Sequence, residues 1–366
     1  MFNNVYADKE ILVTGHTGFK GSWLVTWLLK LNAKVIGISL NPPSEPSLFE
    51  VANLSEKIVD CREDIRNFKN IKSIVQDVKP DYIFHLAAQP IVKTSFEDPI
   101  STFNTNIIGT ANILEAAREL KKTCNLILIT SDKCYSNNEW NWGYREIDIL
   151  GGKDPYSASK ACAELVISSM HNSFFEKGNS IRIASTRAGN VIGGGDWASN
   201  RIIPDAIKAW SKGKKVSIRN PQSTRPWQHV LEPISGYLRL GQLLKTNKKL
   251  SGESYNFGPK TDQVKTVLEL LKNLGISWGY NNEDEMLDIY ENNDFKEAGL
   301  LKLNCDKAMH DLNWYPILDF DQTINMTSSW YKNFYKTKNR DVFEFTDNQI
   351  TDYTKLAINK KIPWTK

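Results

Sequence analysis

The chain has 366 residues, of which 41% are hydrophobic and 24% are charged. This composition is ordinary for a globular protein, and the length allows two domains or one large domain with an appended lobe. The net charge is +4, but the lysines occur in scattered pairs such as Lys121-Lys122 and Lys214-Lys215. Such pairs are more typical of solvated faces than of a nucleic-acid-binding stripe, so no nucleic-acid partner is expected.

The five cysteines show no CxxC or Cys/His ligand spacing, which predicts neither a disulfide framework nor a metal site. The amino-terminal stretch MFNNVYADKE has no basic region followed by an apolar run. No apolar run approaches the roughly 18 residues that a membrane span needs. The sequence therefore predicts a cytoplasmic protein with no membrane partner.

The first half of the chain alternates short β-branched runs with longer helical patterns. Strands are predicted at 11–14, 35–40, 82–88 and 126–131, with helices between the first two strands and at 107–120. This alternation predicts an α/β fold of the Rossmann type, a doubly wound parallel sheet covered on both faces. Ligands of such sheets bind beyond the carboxyl ends of the strands.

The regular alternation of strand and helix patterns ends at about residue 187. Beyond it, Gly, Pro, Trp and Arg interrupt the sequence in segments such as GGGDW at 193–197. We therefore expect residues 1–187 to form the sheet domain, to which some later segments return. Residues 188–366 are expected to form mainly a smaller, loop-rich lobe. No flexible linker marks the boundary.

The segment TGHTGFKG at 14–21 lies between the first predicted strand and the first predicted helix. Gly15, Gly18 and Gly21 would allow a tight turn, close approach of the backbone to a pyrophosphate and close helix packing. The helix amino terminus would offer free N–H groups to the anion. Glycine spacing alone also fits a structural turn, but the position of this segment favours dinucleotide binding.

Two further segments carry groups suited to proton transfer. In YSASK at 156–160, a helix beginning at Pro155 would place Tyr156 and Lys160 on one face. The lysine ammonium would then lower the tyrosine pKa from about 10 toward neutrality and make a tyrosinate base. In TSDKCY at 130–135, Ser131, Asp132 and Lys133 follow a buried strand, where they either simply reach solvent or face a ligand.

Together these segments resemble the short-chain dehydrogenase/reductase superfamily, and specifically its extended branch that acts on nucleotide sugars. The resemblance covers nearly the whole chain and is carried by GHTGFKG, Asp64-Ile65, HLAAQP at 85–90, NIIGT at 106–110, TSDKCY, YSASK, RAGNVIGGGD at 187–196 and RPWQHV at 225–230. Within that branch, three segments are most similar in sequence to the CDP-glucose 4,6-dehydratases: EWNWGYRE, GGKDPYSASK and RNPQSTRPWQHVLEP.

This resemblance implies a lyase that converts CDP-glucose to CDP-4-dehydro-6-deoxyglucose with a recycled NAD, toward deoxysugars of surface polysaccharides. It implies that Tyr156 removes the proton of the 4-hydroxyl, that Lys160 holds the cofactor ribose and tunes Tyr156, and that Ser131 hydrogen-bonds the 4-oxygen. Asp132 would be the acid at O6.

Lys133 stands where related dTDP-glucose dehydratases have a glutamate that is the presumed base at C5. An unprotonated Lys133 could act as that base, or a charged Lys133 could stabilise the enolate while another group moves the proton. The sequence does not choose between these roles. The family also implies a homodimer formed through the helices at 107–120 and 156–169.

By the same resemblance, the cofactor contacts would be Gly15, Thr17, Gly18, Phe19, Lys20, Gly21, Asp64, Ile65, Leu86, Ala87, Ala88, Asn106, Tyr156 and Lys160. The acidic residue expected at the end of the second strand is missing, and with His16 and Lys20 nearby a 2′-phosphate would not be repelled. NAD is still favoured. Substrate contacts are implied for Gln89, Asn190, Arg201, Arg219 and Arg225, since arginine suits a diphosphate.

Two other classes of protein stay open. A nucleotide-sugar 4-epimerase would share Tyr156 and Lys160, but it needs no acid at O6, so the Asp132-Lys133 pair argues against it. A non-catalytic dinucleotide sensor on the same fold would commonly lack the tyrosine or the lysine, and both are present.

Overall fold

The computed structural model describes residues 1–176, 180–218, 220–260, 264–289, 300–337 and 341–366. Its strands are β1 (Glu10–Thr14), β2 (Lys34–Ser39), β3 (Val59–Arg62), β4 (Tyr82–His85), β5 (Cys124–Ile129), β6 (Ile181–Ala188), β7 (Val191–Ile192), β8 (Val216–Ile218), β9 (Thr224–Pro226), β10 (Gln228–His229), β11 (Ser254–Phe257), β12 (Val264–Thr266) and β13 (Leu287–Ile289). Its α-helices are α1 (Phe19–Lys30), α2 (Leu48–Val51), α3 (Phe68–Val78), α4 (Val92–Glu97), α5 (Pro99–Phe103), α6 (Gly109–Arg118), α7 (Pro155–Met170), α8 (Ile202–Trp210), α9 (Leu231–Leu244), α10 (Val267–Trp278), α11 (Glu283–Met286), α12 (Asp306–Leu312), α13 (Phe320–Lys336) and α14 (Val342–Asn359).

Within the described residues, seven strands form one sheet in the order β3-β2-β1-β4-β5-β6-β11. Every neighbouring pair in it is parallel. Side chains alternate between its two faces, so Ile11 and Val13 belong to one hydrophobic core and Leu12 to the other. The predicted doubly wound α/β fold is confirmed.

The predicted strands β4 and β5 are shorter at their carboxyl ends than the sequence indicated. β4 ends at His85 because its neighbour β1 ends at Thr14. β5 ends at Ile129 because Ser131 caps the short 3-10 turn Asp132–Cys134, accepting a hydrogen bond from the backbone of Lys133. Both ends open onto the same edge of the sheet as the turn between β1 and α1.

The second half of the chain contains more helix than the loop-rich lobe that we expected. Capping boxes, which were not used in the sequence analysis, fix the starts of two of these helices: Thr266 with Glu269 begins α10, and Asp319 with Gln322 begins α13. β11 pairs with β6 and α9 packs against β5 and β6, so segments of this half complete the sheet. The boundary at residue 187 stays a prediction.

All five cysteines lie in the described part of the chain and have free thiols. In that part of the chain, no helix is both long and apolar enough to span a bilayer.

Candidate active site

The turn between β1 and α1 is fixed by close backbone contacts. Gly15 has a φ of +75°, and a Cβ there would lie 2.7 Å from the backbone nitrogen of Ala87. A Cβ on Gly21 would lie 2.1 Å from the carbonyl oxygen of Gly15. A side chain at either position would force the backbone to move, so both positions require glycine.

Gly18 leaves open space in front of the first turn of α1. A Cβ at this residue, which directly precedes the helix, would meet the Gly15 carbonyl oxygen at 3.4 Å and no other described atom within 4 Å. The first N–H groups of a helix have no partners within it, and they carry the positive end of its dipole. The loop therefore fits the pyrophosphate of a dinucleotide.

His16 lies beside this loop, but its side chain is directed into the fold. Its ring is fully buried, and Nε2 lies 2.8 Å from Asp60 Oδ1. Burial lowers the pKa of His16, although the contact with Asp60 opposes this. Thr17 Oγ1 lies 2.8 Å from Ser39 Oγ, so both side chains link the loop to the neighbouring strands. His16 is therefore a buried partner of Asp60 and not an exposed cation beside the glycine loop.

Asn106 joins the segment after β4 to α7. Its amide accepts a hydrogen bond from Gln89 N at 2.8 Å and donates one to Ser159 Oγ at 2.8 Å. Gln89 uses its own side chain locally, because its Nε2 donates to Thr102 Oγ1 and its Oε1 accepts from Ile91 N. Asn106 thus lies at the predicted cofactor edge, whereas the Gln89 amide is already engaged within its own loop.

The remaining predicted cofactor contacts also lie near the carboxyl ends of the strands. Asp64 follows β3, and its carboxylate pairs with Arg66 at 2.6 Å; hydrogen bonds from Arg66 lower the Asp64 pKa. Ile65 is buried against α6, where a Cβ on Gly109 would lie 2.4 Å from its Cδ1. Half-buried residues line the segment directly after β4: Leu86, Ala87 and Ala88.

The polar residues after β5 are not a solvated strand edge. Ser131 and Asp132 are buried, Lys133 is half-buried, and Ser131 Oγ donates to Asp132 Oδ1 at 2.9 Å. A Cβ on Gly189 would lie 1.8 Å from Asp132 Oδ2, so the carboxylate packs directly on the Gly189 α-carbon. The structure therefore contradicts the first of the two interpretations that the sequence left open.

The helix α7 begins where the sequence predicted. Asp154 caps it, with one carboxylate oxygen accepting from Ser157 N at 2.9 Å and the other from Ser157 Oγ at 2.6 Å. Pro155 occupies the first helical position, which needs no N–H group. Tyr156 and Lys160 lie one turn apart on this helix, and both are buried.

The expected low pKa of Tyr156 is not found. The pKa of Tyr156 is raised to about 12: burial is the largest cause and Asp132 adds to it, while a hydrogen bond with Ser131 and the charge of Arg201 oppose it. Burial also lowers the pKa of Lys160 to about 8. The cost of burying a phenolate outweighs the nearby positive charge, so Tyr156 is a neutral phenol at rest.

Lys20 lies in the same electrostatic cluster. Burial lowers its pKa to about 8; Arg201 and Lys160 lower it as well, and Asp132 raises it. Lys20 is half-buried at the start of α1, and its role as a cofactor contact stays a prediction. The structure thus brings together three cations and one carboxylate beside Tyr156.

The predicted substrate contacts come from the second half of the chain. Asn190 follows β6 with a φ of 49°. Arg201 precedes α8, and its Nη1 lies 2.8 Å from Asp196 Oδ2. Arg225 is a buried residue of β9. Arg219 lies outside the described residues.

Comparisons with known proteins assign the class of this site. The family model described as GDP-mannose 4,6 dehydratase matches residues 12–327. The chain belongs to that dehydratase family. A CDP-glucose 4,6-dehydratase from Salmonella typhimurium is 44% identical over 354 residues, which are 96% of this chain and 97% of that protein. The expected class of enzyme is confirmed.

Solved structures share the fold of this dehydratase. A dTDP-glucose 4,6-dehydratase from Streptomyces venezuelae, solved with NAD, superposes with a TM-score of 0.75 at 22% identity and covers 89% of this chain and 99% of that one. A UDP-glucuronic acid 4-epimerase from Bacillus cereus, also solved with NAD, has a TM-score of 0.75 at 25% identity and covers 89% and 100%. Dehydratases and epimerases therefore share this architecture.

Two residues that lie close to the predicted site residues were not predicted from the sequence. Gly189, which directly follows β6, packs against Asp132 in the turn after β5, a contact between distant segments for which there is no local signal in the sequence. Glu164 lies one turn after Lys160 on α7 and is buried. The four-residue spacing that connected Tyr156 with Lys160 would also have pointed to Glu164.

Proposed function

We propose that this protein is an NAD-dependent CDP-glucose 4,6-dehydratase. The observation that carries the proposal is the buried Asp132 beside Tyr156 and Ser131. A 4,6-dehydratase needs an acid for the C6 hydroxyl close to the base for the C4 hydroxyl, whereas a 4-epimerase does not. CDP-glucose is taken from the name of the Salmonella typhimurium relative.

The glycine turn would hold the cofactor, with its pyrophosphate in front of α1 and Asn106 beside it. Bound NAD would take a hydride from C4 of the sugar and return it to C6, so that the overall reaction is redox-neutral. NAD is named because the Streptomyces venezuelae and Bacillus cereus structures contain it. Asp64 would contact the adenosine end.

Tyr156 would accept the proton of the 4-hydroxyl as the first step. Because its pKa is raised to about 12, the phenol would first give up its own proton; the resulting phenolate would then take the proton of the 4-hydroxyl as C4 gives up its hydride, and would become a phenol again. Ser131 and Arg201 would stabilise that phenolate, since both lower the pKa of Tyr156. Lys160 would hold the ribose.

The ketone at C4 makes the C5 proton acidic, and elimination would follow. Asp132 would give its proton to the C6 hydroxyl, which leaves as water. Lys133 would either take the C5 proton or stabilise the enolate, and both roles are kept. Addition of hydride at C6 and of a proton at C5 would complete the product.

Substrate recognition would rest on the cationic side of this site. Arg201 and Arg225, together with Arg219, would bind the diphosphate, and Asn190 and Gln89 would contact the rest of the nucleotide sugar. The cytoplasmic location and the use of the product in surface polysaccharides stay predictions from the sequence.

In the decisive test, the protein is incubated with NAD and one nucleotide sugar at a time. The four sugars are CDP-glucose, dTDP-glucose, UDP-glucose and GDP-mannose. The 4-keto-6-deoxy product is detected by its absorbance in alkali, and epimers are detected by chromatography. CDP-glucose should be converted at least tenfold faster than the others. Formation of a 4-epimer would support the epimerase, and NAD binding without conversion of any sugar would support the sensor.

A homodimer is proposed through the helices at 107–120 and 156–169. Leu165 of α7 is 58% exposed and Ile108 is 49% exposed, which leaves apolar area available for a partner copy. Leu165→Glu should therefore give a monomer in sedimentation at micromolar concentration. Ile276→Glu is the matched control, because Ile276 is 65% exposed on α10, away from these helices. A parent protein that sediments as a monomer would contradict the dimer.

Gly189→Ala should impair turnover while the fold persists. The added Cβ would meet Asp132 Oδ2 at 1.8 Å, so the carboxylate must move away from its position beside Ser131. Misplacing a catalytic group by about 1 Å can cost about 10²-fold in rate. Gly258→Ala is the control, because its Cβ would make ordinary contacts at 3.4 Å and 3.7 Å. Equal kcat values for the two variants would show that the position of Asp132 is unimportant.

A further inference from the structure

One buried carboxylate, Glu164 of α7, connects the strands around the active site. Its side chain is 3% exposed. Oε1 accepts a hydrogen bond from Thr130 Oγ1 at 2.5 Å, and Oε2 accepts from Ser185 Oγ and from Arg187 Nη2, each at 2.8 Å. One carboxylate oxygen is thus held by the residue that directly follows β5 and the other by two residues of β6.

The partners of Glu164 adjoin the residues that carry the chemistry. Thr130 directly precedes Ser131, and Arg187 lies two residues before Gly189, on which Asp132 packs. Glu164 itself lies one helical turn after Lys160. A single side chain therefore ties the helix of the proposed base to the segments that carry and support the proposed acid.

The Arg187 guanidinium, which donates to Glu164 through Nη2, also contacts Tyr135. Its Nη1 donates to Tyr135 Oη at 2.8 Å, and its guanidinium lies 5.0 Å from the centre of the Tyr135 ring. A buried ion pair gives little net stability compared with apolar residues of similar size, so its position beside an active site suggests a use other than stability.

The charged and titratable groups that face Lys160 come from four elements. The pKa of Lys160 is lowered to about 8, because burial outweighs the opposing influence of Cys134 and Glu164. The charge of Lys160 also lowers the pKa values of Lys20 in α1 and His85 in β4. Burial lowers the pKa of His85 to about 3, so His85 is neutral, and Glu164 is the anion that favours protonated Lys160.

We propose that Glu164 is a positioning residue of this active site: it aligns α7 with the ends of β5 and β6 and keeps a negative charge beside Lys160. The proposal rests on the proposed function, in which Lys160 holds the ribose beside Tyr156, and it adds that Lys160 works in its protonated form. Glu164 itself touches neither substrate nor cofactor in this role.

The electrostatic half of the proposal predicts a shift in pH dependence. Protonated Lys160 is lost as the pH rises through its pKa, which produces an alkaline limb in kcat/KM. Because Glu164 raises that pKa, Glu164→Gln should move the alkaline limb to lower pH, by about 1 to 2 units.

The geometric half is tested separately with Thr130→Val. This change keeps the shape of the side chain and the charge of Glu164 but removes the hydrogen bond from Thr130 Oγ1. We expect kcat to fall about fivefold or more, with the alkaline limb unmoved. A parental kcat would show that Glu164 does not position the segment that carries Ser131.

Glu164→Gln leaves Arg187 unpaired and could unfold the protein, so the double variant Glu164→Gln/Arg187→Met is measured beside it. The control is Glu232→Gln, since Glu232 is also buried but binds Ile317 N and Leu318 N, away from Lys160. Each variant is followed by thermal unfolding and by kcat/KM with CDP-glucose from pH 6 to 10.

The double variant should fold and keep the shifted alkaline limb, whereas Glu232→Gln should change only the melting temperature. A folded double variant with the parental limb would overturn the electrostatic role. Failure of the parent protein to convert CDP-glucose would instead count against the proposed function, so the two failures are distinguishable.

Discussion

Tyr156→Phe should lower kcat by roughly 10²- to 10⁴-fold, the usual contribution of a general base. Only the hydroxyl is lost, and the ring remains in its buried position, so the binding of CDP-glucose should persist. The measurement is kcat by the alkaline absorbance of the product, together with the dissociation constant of CDP-glucose by calorimetry. An unchanged constant with a reduced kcat would assign the hydroxyl to the chemical step.

The control for this variant is Tyr255→Phe. Tyr255 is also a buried tyrosine, and its hydroxyl donates to Asp311 Oδ2 at 3.2 Å, away from the site. Its loss should lower thermal stability without a change in kcat. A Tyr156→Phe enzyme within threefold of the parent would remove Tyr156 from the mechanism.

Asp132→Asn and Lys133→Met should stop the reaction after oxidation at C4. Tyr156 and Lys160 are intact in both variants, so enzyme-bound NAD should still be reduced, but the elimination that allows the hydride to return should fail. Reduced nicotinamide should therefore accumulate in a single turnover with enzyme in excess, and its absorbance should persist. In the parent enzyme, the same absorbance should rise and decay.

Incorporation of solvent deuterium at C5 separates the roles of the two residues. Asp132→Asn should retain exchange, because its defect lies in protonating the leaving hydroxyl. Lys133→Met should lose exchange if Lys133 is the base and retain it if Lys133 only stabilises the enolate. Lys121→Met, at an exposed lysine, is the charge control. Full turnover by both site variants would remove the Asp132-Lys133 pair from the mechanism.

Much of the fold followed from local patterns in the sequence. The β-branched runs, the helical periodicity and the glycine turn predicted β1, β2, β4 and β5 and the parallel sheet, because each pattern reflects which face of a single element is buried. The turn at Gly15 and the face shared by Tyr156 and Lys160 are equally local. The resemblance added the roles of these residues, which spacing alone did not supply.

The tertiary structure decided how these groups behave. His16 is a buried partner of Asp60, Asp132 packs on Gly189, and burial raises the pKa of Tyr156 where the sequence suggested a lower value. Each depends on a contact between distant segments or on the loss of water around an ionisable group. Local spacing carries neither quantity, because desolvation and close packing depend on every element that covers the site.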